Sequence, residues 1–130
     1  MPRDTRLADL QLAIIQVLWD KGHATVGEVR DALRPQRKLA YTTVGTMLAK
    51  MEAAGYVTHR ADGRVNVYRA LLRRDQVSRT MVSDLAERLF QGDVAAMMCH
   101  LLDGCDVSPD ELTRLKQLIR DKEREIGHAE

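Results

Sequence analysis

A mostly α-helical chain with one small β-hairpin is the fold class that this 130-residue sequence predicts. Three observations carry it. Apolar residues recur at helical spacing along most of the chain. The period switches to alternation only over residues 56–70. The switch is centred on Asp62-Gly63, a strong signal for a two-residue hairpin turn.

Leu7, Leu10, Ile14, Val17 and Leu18 stripe a first helix over 7–20, with Trp19 near its end as a packing anchor. Lys21-Gly22-His23 breaks it. Thr25, with Glu28 three residues on, is a capping box for a short second helix over 26–33, ended before Pro35. A basic connection, RPQRKLA, leads to a third helix over 42–54. There Val44, Met47, Leu48 and Met51 point one way, and Thr42, Thr46, Ala49, Lys50 and Ala53 point the other. Gly55 suits the left-handed position that ends a helix. Strands over 56–61 and 64–70 follow, rich in β-branched and aromatic residues.

The remainder is helical. Val77, Met81, Leu85 and Leu89 mark a fourth helix over 74–90, closed by Gln91-Gly92. Val94, Met97, Met98, Leu101 and Leu102 mark a short fifth. Ser108-Pro109-Asp110-Glu111 sets a serine N-cap, a proline at the first helical position and a glutamate at the third, which starts a sixth helix over 109–126. Leu112, Leu115, Ile119 and Ile126 stripe it.

Composition narrows the function classes. No apolar run approaches the roughly 18 residues of a membrane span, and no apolar segment follows the charged start as in a signal peptide. A cytoplasmic protein without membrane insertion is expected. Five aromatic residues are too few for a base-stacking platform, which disfavours single-strand and RNA binding. Two cysteines, Cys99 and Cys105, make no disulfide framework. A net charge of +1 hides an asymmetry: residues 1–74 hold 13 Lys/Arg against 7 Asp/Glu, and residues 75–130 hold 7 against 12. A basic half joined to an acidic half suits a polyanion-binding module with a differently employed tail.

Helix, helix, helix and hairpin, with the basic charge gathered in that unit, is the winged helix-turn-helix arrangement. It explains an oddity of the third helix, which opens on Tyr41, Thr42 and Thr43 with Thr46 one turn on, although threonine forms helices poorly. An α-helix fits the major groove of B-DNA, where small hydroxyl side chains permit close approach and can bond phosphates or base edges. Gly45, about 1 kcal/mol worse than alanine in a helix, would fit a close approach too. The competing explanation is local: Tyr41 or Thr42 caps the helix and the others merely face solvent. Arg37 and Lys38 before the helix, Lys50 on its outer face, and Arg60 and Arg64 beside the hairpin turn could meet phosphates.

The segment LAYTTVGTMLAKMEAAGYVTHRADGRVNVYRA resembles the recognition helix and wing of the penicillinase-repressor family, the BlaI/MecI/CopY-type regulators. LADLQLAIIQVLWDKG and ATVGEVRDAL are similar to that family's first two helices, including a Leu-Trp pair at Leu18-Trp19. LFQGDVAAMMCHLL and SPDELTRLKQLI are similar to its dimerisation region. The resemblance implies a homodimeric repressor on an inverted-repeat operator, often of a TACA/TGTA kind. It places Tyr41, Thr42, Thr43 and Thr46 over bases, with Lys50, Arg60 and Arg64 nearer phosphate. Two-fold symmetry then sets the recognition helices about 34–36 Å apart or a multiple of that. Two departures stand out. The antibiotic-responsive members are cut at an Asn-Phe bond in the fifth helix once a membrane sensor protease system is triggered; aligned through Gly92, the pair here is Cys99-His100. The Cys-x-Cys cluster of copper-responsive members is missing after Cys105.

Two parts follow: a winged-helix DNA-binding domain over 5–71 and a helical dimerisation region over 74–127. Val77, Met81, Leu85, Leu89, Met97, Leu101, Leu112, Leu115 and Ile119 are the expected dimer contacts, because so short a segment cannot bury its own stripes. No enzyme, cofactor or metal site is expected. Cys99 and His100 lie about 100° apart on a helix and off its apolar stripe, and no phosphate loop or nucleophile motif occurs. The alternative function is a winged helix that binds another protein.

Overall fold

The structure, a computed structural model, describes residues 7–129. The expected domain start at residue 5 lies outside them. The elements are α1 (Asp9–Lys21), β1 (Ala24–Thr25), α2 (Val26–Leu33), α3 (Tyr41–Ala53), β2 (Val57–Asp62), β3 (Val65–Ala70), α4 (Arg74–Phe90), α5 (Val94–Gly104) and α6 (Pro109–Ala129). The chain divides into two compact units, the first ending at Asp84 and the second beginning at Leu85. The mostly α class with a β-hairpin wing is the one the sequence predicts.

The first unit is built on a core of Ile14, Ile15 and Leu18 from α1, Val29 and Leu33 from α2, Val44, Leu48 and Met51 from α3, and Val57 and Tyr68 from the sheet. Trp19 anchors as expected: its indole N–H donates to the carbonyl of Leu72 at 2.8 Å, tying α1 to the segment after the wing. The Thr25 hydroxyl accepts the N–H of Glu28 at 3.2 Å, and the Glu28 carboxylate accepts the N–H of Thr25 at 2.9 Å, completing the capping box of α2. These bonds hold the Glu28 carboxyl below its ordinary value.

The sheet has three strands in the order β1-β3-β2, all antiparallel. The sequence showed two. β1 is only two residues long, Ala24 opposite Tyr68 and Thr25 opposite Val67, too short to leave a period. The hairpin also turns one residue later than Asp62-Gly63 suggests. Asp62 pairs with Val65, so the turn is Gly63-Arg64, and Gly63 takes the positive φ of 64° at its first position. Arg64 thereby sits at the tip of the wing rather than beside it.

α3 ends in a Schellman seal: Gly55 adopts φ 83°, its N–H reaches Glu52, and the N–H of Tyr56 reaches the carbonyl of Met51. This turn swings the chain directly from α3 into β2.

Val77, expected at a dimer face, is 1 % exposed in the single chain and completes the first unit's core. α4 starts as a lid on that core, so Val77 is structural there, and Met81 is half-buried against the same cluster. In the second unit, the Asp93 carboxylate caps α5 by accepting the N–H of Ala96 at 3.0 Å, and Ser108 with Glu111 forms the capping box of α6. Among the described residues from Leu85 onward, no side chain is buried.

Candidate nucleic-acid interface

The site residues fall on one helix, the loop before it and the wing. On α3, Val44, Leu48 and Met51 are buried, which turns Thr42, Thr43, Thr46, Ala49, Lys50 and Ala53 outward, all exposed. The hydroxyls do not cap the helix. Its N-cap is Ala40, with an extended backbone and no side-chain bond, and its first turn holds no acidic residue. The capping half of the local explanation therefore fails, and the threonines face outward. The N-cap of α3, like that of α1, is an alanine that offers no side-chain acceptor to the first backbone N–H groups, whereas those of α2, α5 and α6 are capped. Such an end, at the positive pole of the helix dipole, favours anions.

Tyr41 is half exposed and leans back toward α2, with the Arg30 guanidinium 5.8 Å from its ring centroid. Gly45 lies on the side of α3 that faces α2. A Cβ at that position would meet Cγ1 of Val26 at 3.8 Å, an ordinary contact distance.

The cations differ by location. Arg37, Lys38, Lys50, Arg60 and Arg64 are exposed, and none has an ion-pair partner among the described residues. Elsewhere, Arg30 and Arg34 share Asp31, Arg73 pairs with Asp75, Arg74 with Asp20, and Lys122 with Glu125. Sequence reasoning missed three residues in this region. Arg69 on β3 is opposite Thr58, which sets it on the same sheet face as Arg60; the alternation of the hairpin carries that signal. Glu52 and His59 bond to each other across α3 and β2, with Nδ1 of His59 2.7 Å from Oε1 of Glu52. Tyr68 lies under that pair, and burial, then the Glu52 charge, pushes its phenol above the ordinary value.

The family model described as penicillinase repressor matches residues 7–121. The chain belongs to the penicillinase repressor family. It is 35 % identical over 131 residues to the transcriptional regulator BlaI of Mycobacterium tuberculosis (strain H37Rv), covering 99 % of this chain and 92 % of that protein. An uncharacterized 16.5 kDa protein of Latilactobacillus sakei is 21 % identical over 109 residues, covering 84 % of this chain and 75 % of that one. Among solved structures, the solution structure of the DNA binding domain of the repressor BlaI superposes with a TM-score of 0.51 at 25 % identity, over 58 % of this chain and 93 % of that domain. A MarR family protein from Bacillus stearothermophilus shares the fold, with a TM-score of 0.50 at 21 % identity over 93 % of this chain and 76 % of that one. This penicillinase-repressor family member is thus a BlaI-like transcriptional repressor with a winged-helix fold, a regulator and not an enzyme.

The remaining site residues sit in the second unit or lead into it. Leu85, Leu89, Leu101, Leu112 and Ile119 are exposed, while Met97 and Leu115 are intermediate. Cys99 and His100 lie inside α5, Cys99 exposed and the His100 ring 5.1 Å from that of Phe90. Among the described residues, no helix is long and apolar enough to cross a membrane.

Proposed function

We propose that two copies of this repressor bind an inverted-repeat operator in double-stranded DNA and block transcription by occupying it. Thr42, Thr43 and Thr46 read base edges in the major groove, Tyr41 contacts the groove edge, and Arg37, Lys38, Lys50, Arg60 and Arg64 neutralise phosphates. One observation carries the reading: from Thr42 to Lys50 the outward face of α3 bears only hydroxyl, methyl and ammonium groups, flanked by cations that have no carboxylate partner among the described residues. Dimerisation is supported by the apolar residues that α5 and α6 leave exposed, including Val94, Leu101, Leu102, Leu112, Leu118, Ile119 and Ile126. The cytoplasm is the compartment this function needs. If release runs through a membrane sensor protease, α5 must open first, because Cys99-His100 lies within the helix.

Selection from a random duplex library tests this. The expected result is enrichment of a two-fold symmetric site, bound with affinity that falls steeply with salt. Binding that shows no preference over random duplex and little salt dependence would overturn it and favour a protein-binding role for the winged helix.

A further inference from the structure

Glu52 is the one acidic residue of α3, and it does not share the outward face. Its carboxylate accepts the backbone N–H of His59 at 3.1 Å, and its two oxygens lie 2.7 and 2.8 Å from Nδ1 of the His59 ring. The backbone bond has a topological cause. β2 is an outer strand of the sheet, so an N–H turned away from β3 has no strand to pair with. A carboxylate only accepts, so Nδ1 of His59 is the donor in this bond. The ring also lies against Tyr68, 5.2 Å between centroids, and Tyr68 is 5 % exposed in the core. The pair is thereby seated on a fixed floor. Arg60 follows His59 directly, and Arg64 is at the tip of the same hairpin.

We propose that Glu52 and His59 form a latch that fixes the wing against the recognition helix, so that Arg60 and Arg64 reach the same duplex that α3 reads. Both are positioning residues. The proposal rests on the DNA-binding reading above and names what sets the wing's place in it.

Two effects of removing the Glu52 carboxylate oppose each other, which makes the proposal sharp. A negative charge within a Debye length of phosphates repels them, so charge alone predicts tighter binding when it is lost. A lost latch predicts weaker binding. In the full chain with the duplex enriched by selection, Glu52→Ala is expected to weaken binding by about tenfold. Glu52→Gln keeps an oxygen that accepts from His59 and is expected to bind at least as tightly as the wild type. Arg64→Ala flattens the slope of log K against log salt by about 0.9 in the wild type, and by less than about half of that in the Glu52→Ala background. Hydrogen exchange in the DNA-free protein gives an independent readout: the His59 amide should exchange at least about tenfold faster in Glu52→Ala, and near the wild-type rate in Glu52→Gln. Unchanged His59 exchange overturns the latch whatever happens with DNA. So does a Glu52→Ala protein that binds as tightly as the wild type with the full Arg64 slope change. A wild type that prefers no duplex defeats the operator reading instead, and the latch is then decided by exchange alone.

Discussion

Gly45 and its threonine neighbours separate two reasons for weak helix formers at the start of α3. At Gly45 an added Cβ meets Val26 at an ordinary contact distance of 3.8 Å, so nothing in the fold requires glycine there. Gly45→Ala is expected to stabilise the protein by up to about 1 kcal/mol in urea unfolding, leaving duplex affinity unchanged. A fall in affinity would mean that the backbone at Gly45 touches DNA. Thr43 and Thr46 are exposed and make no cap, and under the proposed function they read bases. Replacing either with phenylalanine should reduce binding to the selected duplex by more than it reduces binding to random duplex. Equal losses would mean these residues read no bases. The outward set was legible in the sequence because a 3.6-residue period sorts α3 into two faces. That Gly45 faces Val26 was not legible, because the two are neighbours only once α2 and α3 pack.

At the scale of elements, local chemistry was legible and pairing was not. The Thr25–Glu28 spacing announced the start of α2, and both reciprocal bonds form, since each partner lies within one turn of the other. Thr25→Ala should cost about 1 kcal/mol of stability. Glu28 adds a pH signature. Its carboxyl is held below the ordinary 4.5, first by its bond to the Thr25 backbone, so the stability it contributes is present above that value and is lost as pH falls through the lowered one. The gap in unfolding free energy between wild type and Glu28→Gln should therefore close from about pH 5 downward; a gap constant across that window would contradict the cap. The hairpin's existence was legible from alternation, but its register was decided by pairing with the rest of the sheet. Gly63-Arg64 forms the turn, and β1 adds a third strand that two residues could not advertise. The Glu52–His59 bond escaped for the same reason, since it joins two elements whose relation is set by the Schellman turn at Gly55.

At the scale of the whole molecule, the boundary between the two compact units falls inside α4. Its amphipathic stripe, Val77, Met81, Leu85 and Leu89, looks uniform in sequence, yet Val77 is 1 % exposed and Leu89 is 63 % exposed in the single chain. The first half of the stripe faces a core formed by residues far earlier in the chain, and the second half is left exposed. Period alone cannot tell these destinations apart, because both are apolar. A truncation that removes α4 entirely would strip Val77 from the core and lose about 2 kcal/mol from that residue alone. A fragment ending at Asp84 keeps it. That fragment is expected to unfold cooperatively and to sediment as a monomer, while the full chain sediments as a dimer. It should bind the selected duplex about 10²–10⁴-fold more weakly than the full chain, because two half-sites are no longer linked. Its preference for the selected sequence over random duplex should persist at a single half-site, since Thr42, Thr43 and Thr46 are intact. If the fragment ending at Asp84 still sediments as a dimer, the exposed apolar residues from Leu85 onward are not what joins the two copies, and the interface must lie on the winged helix itself.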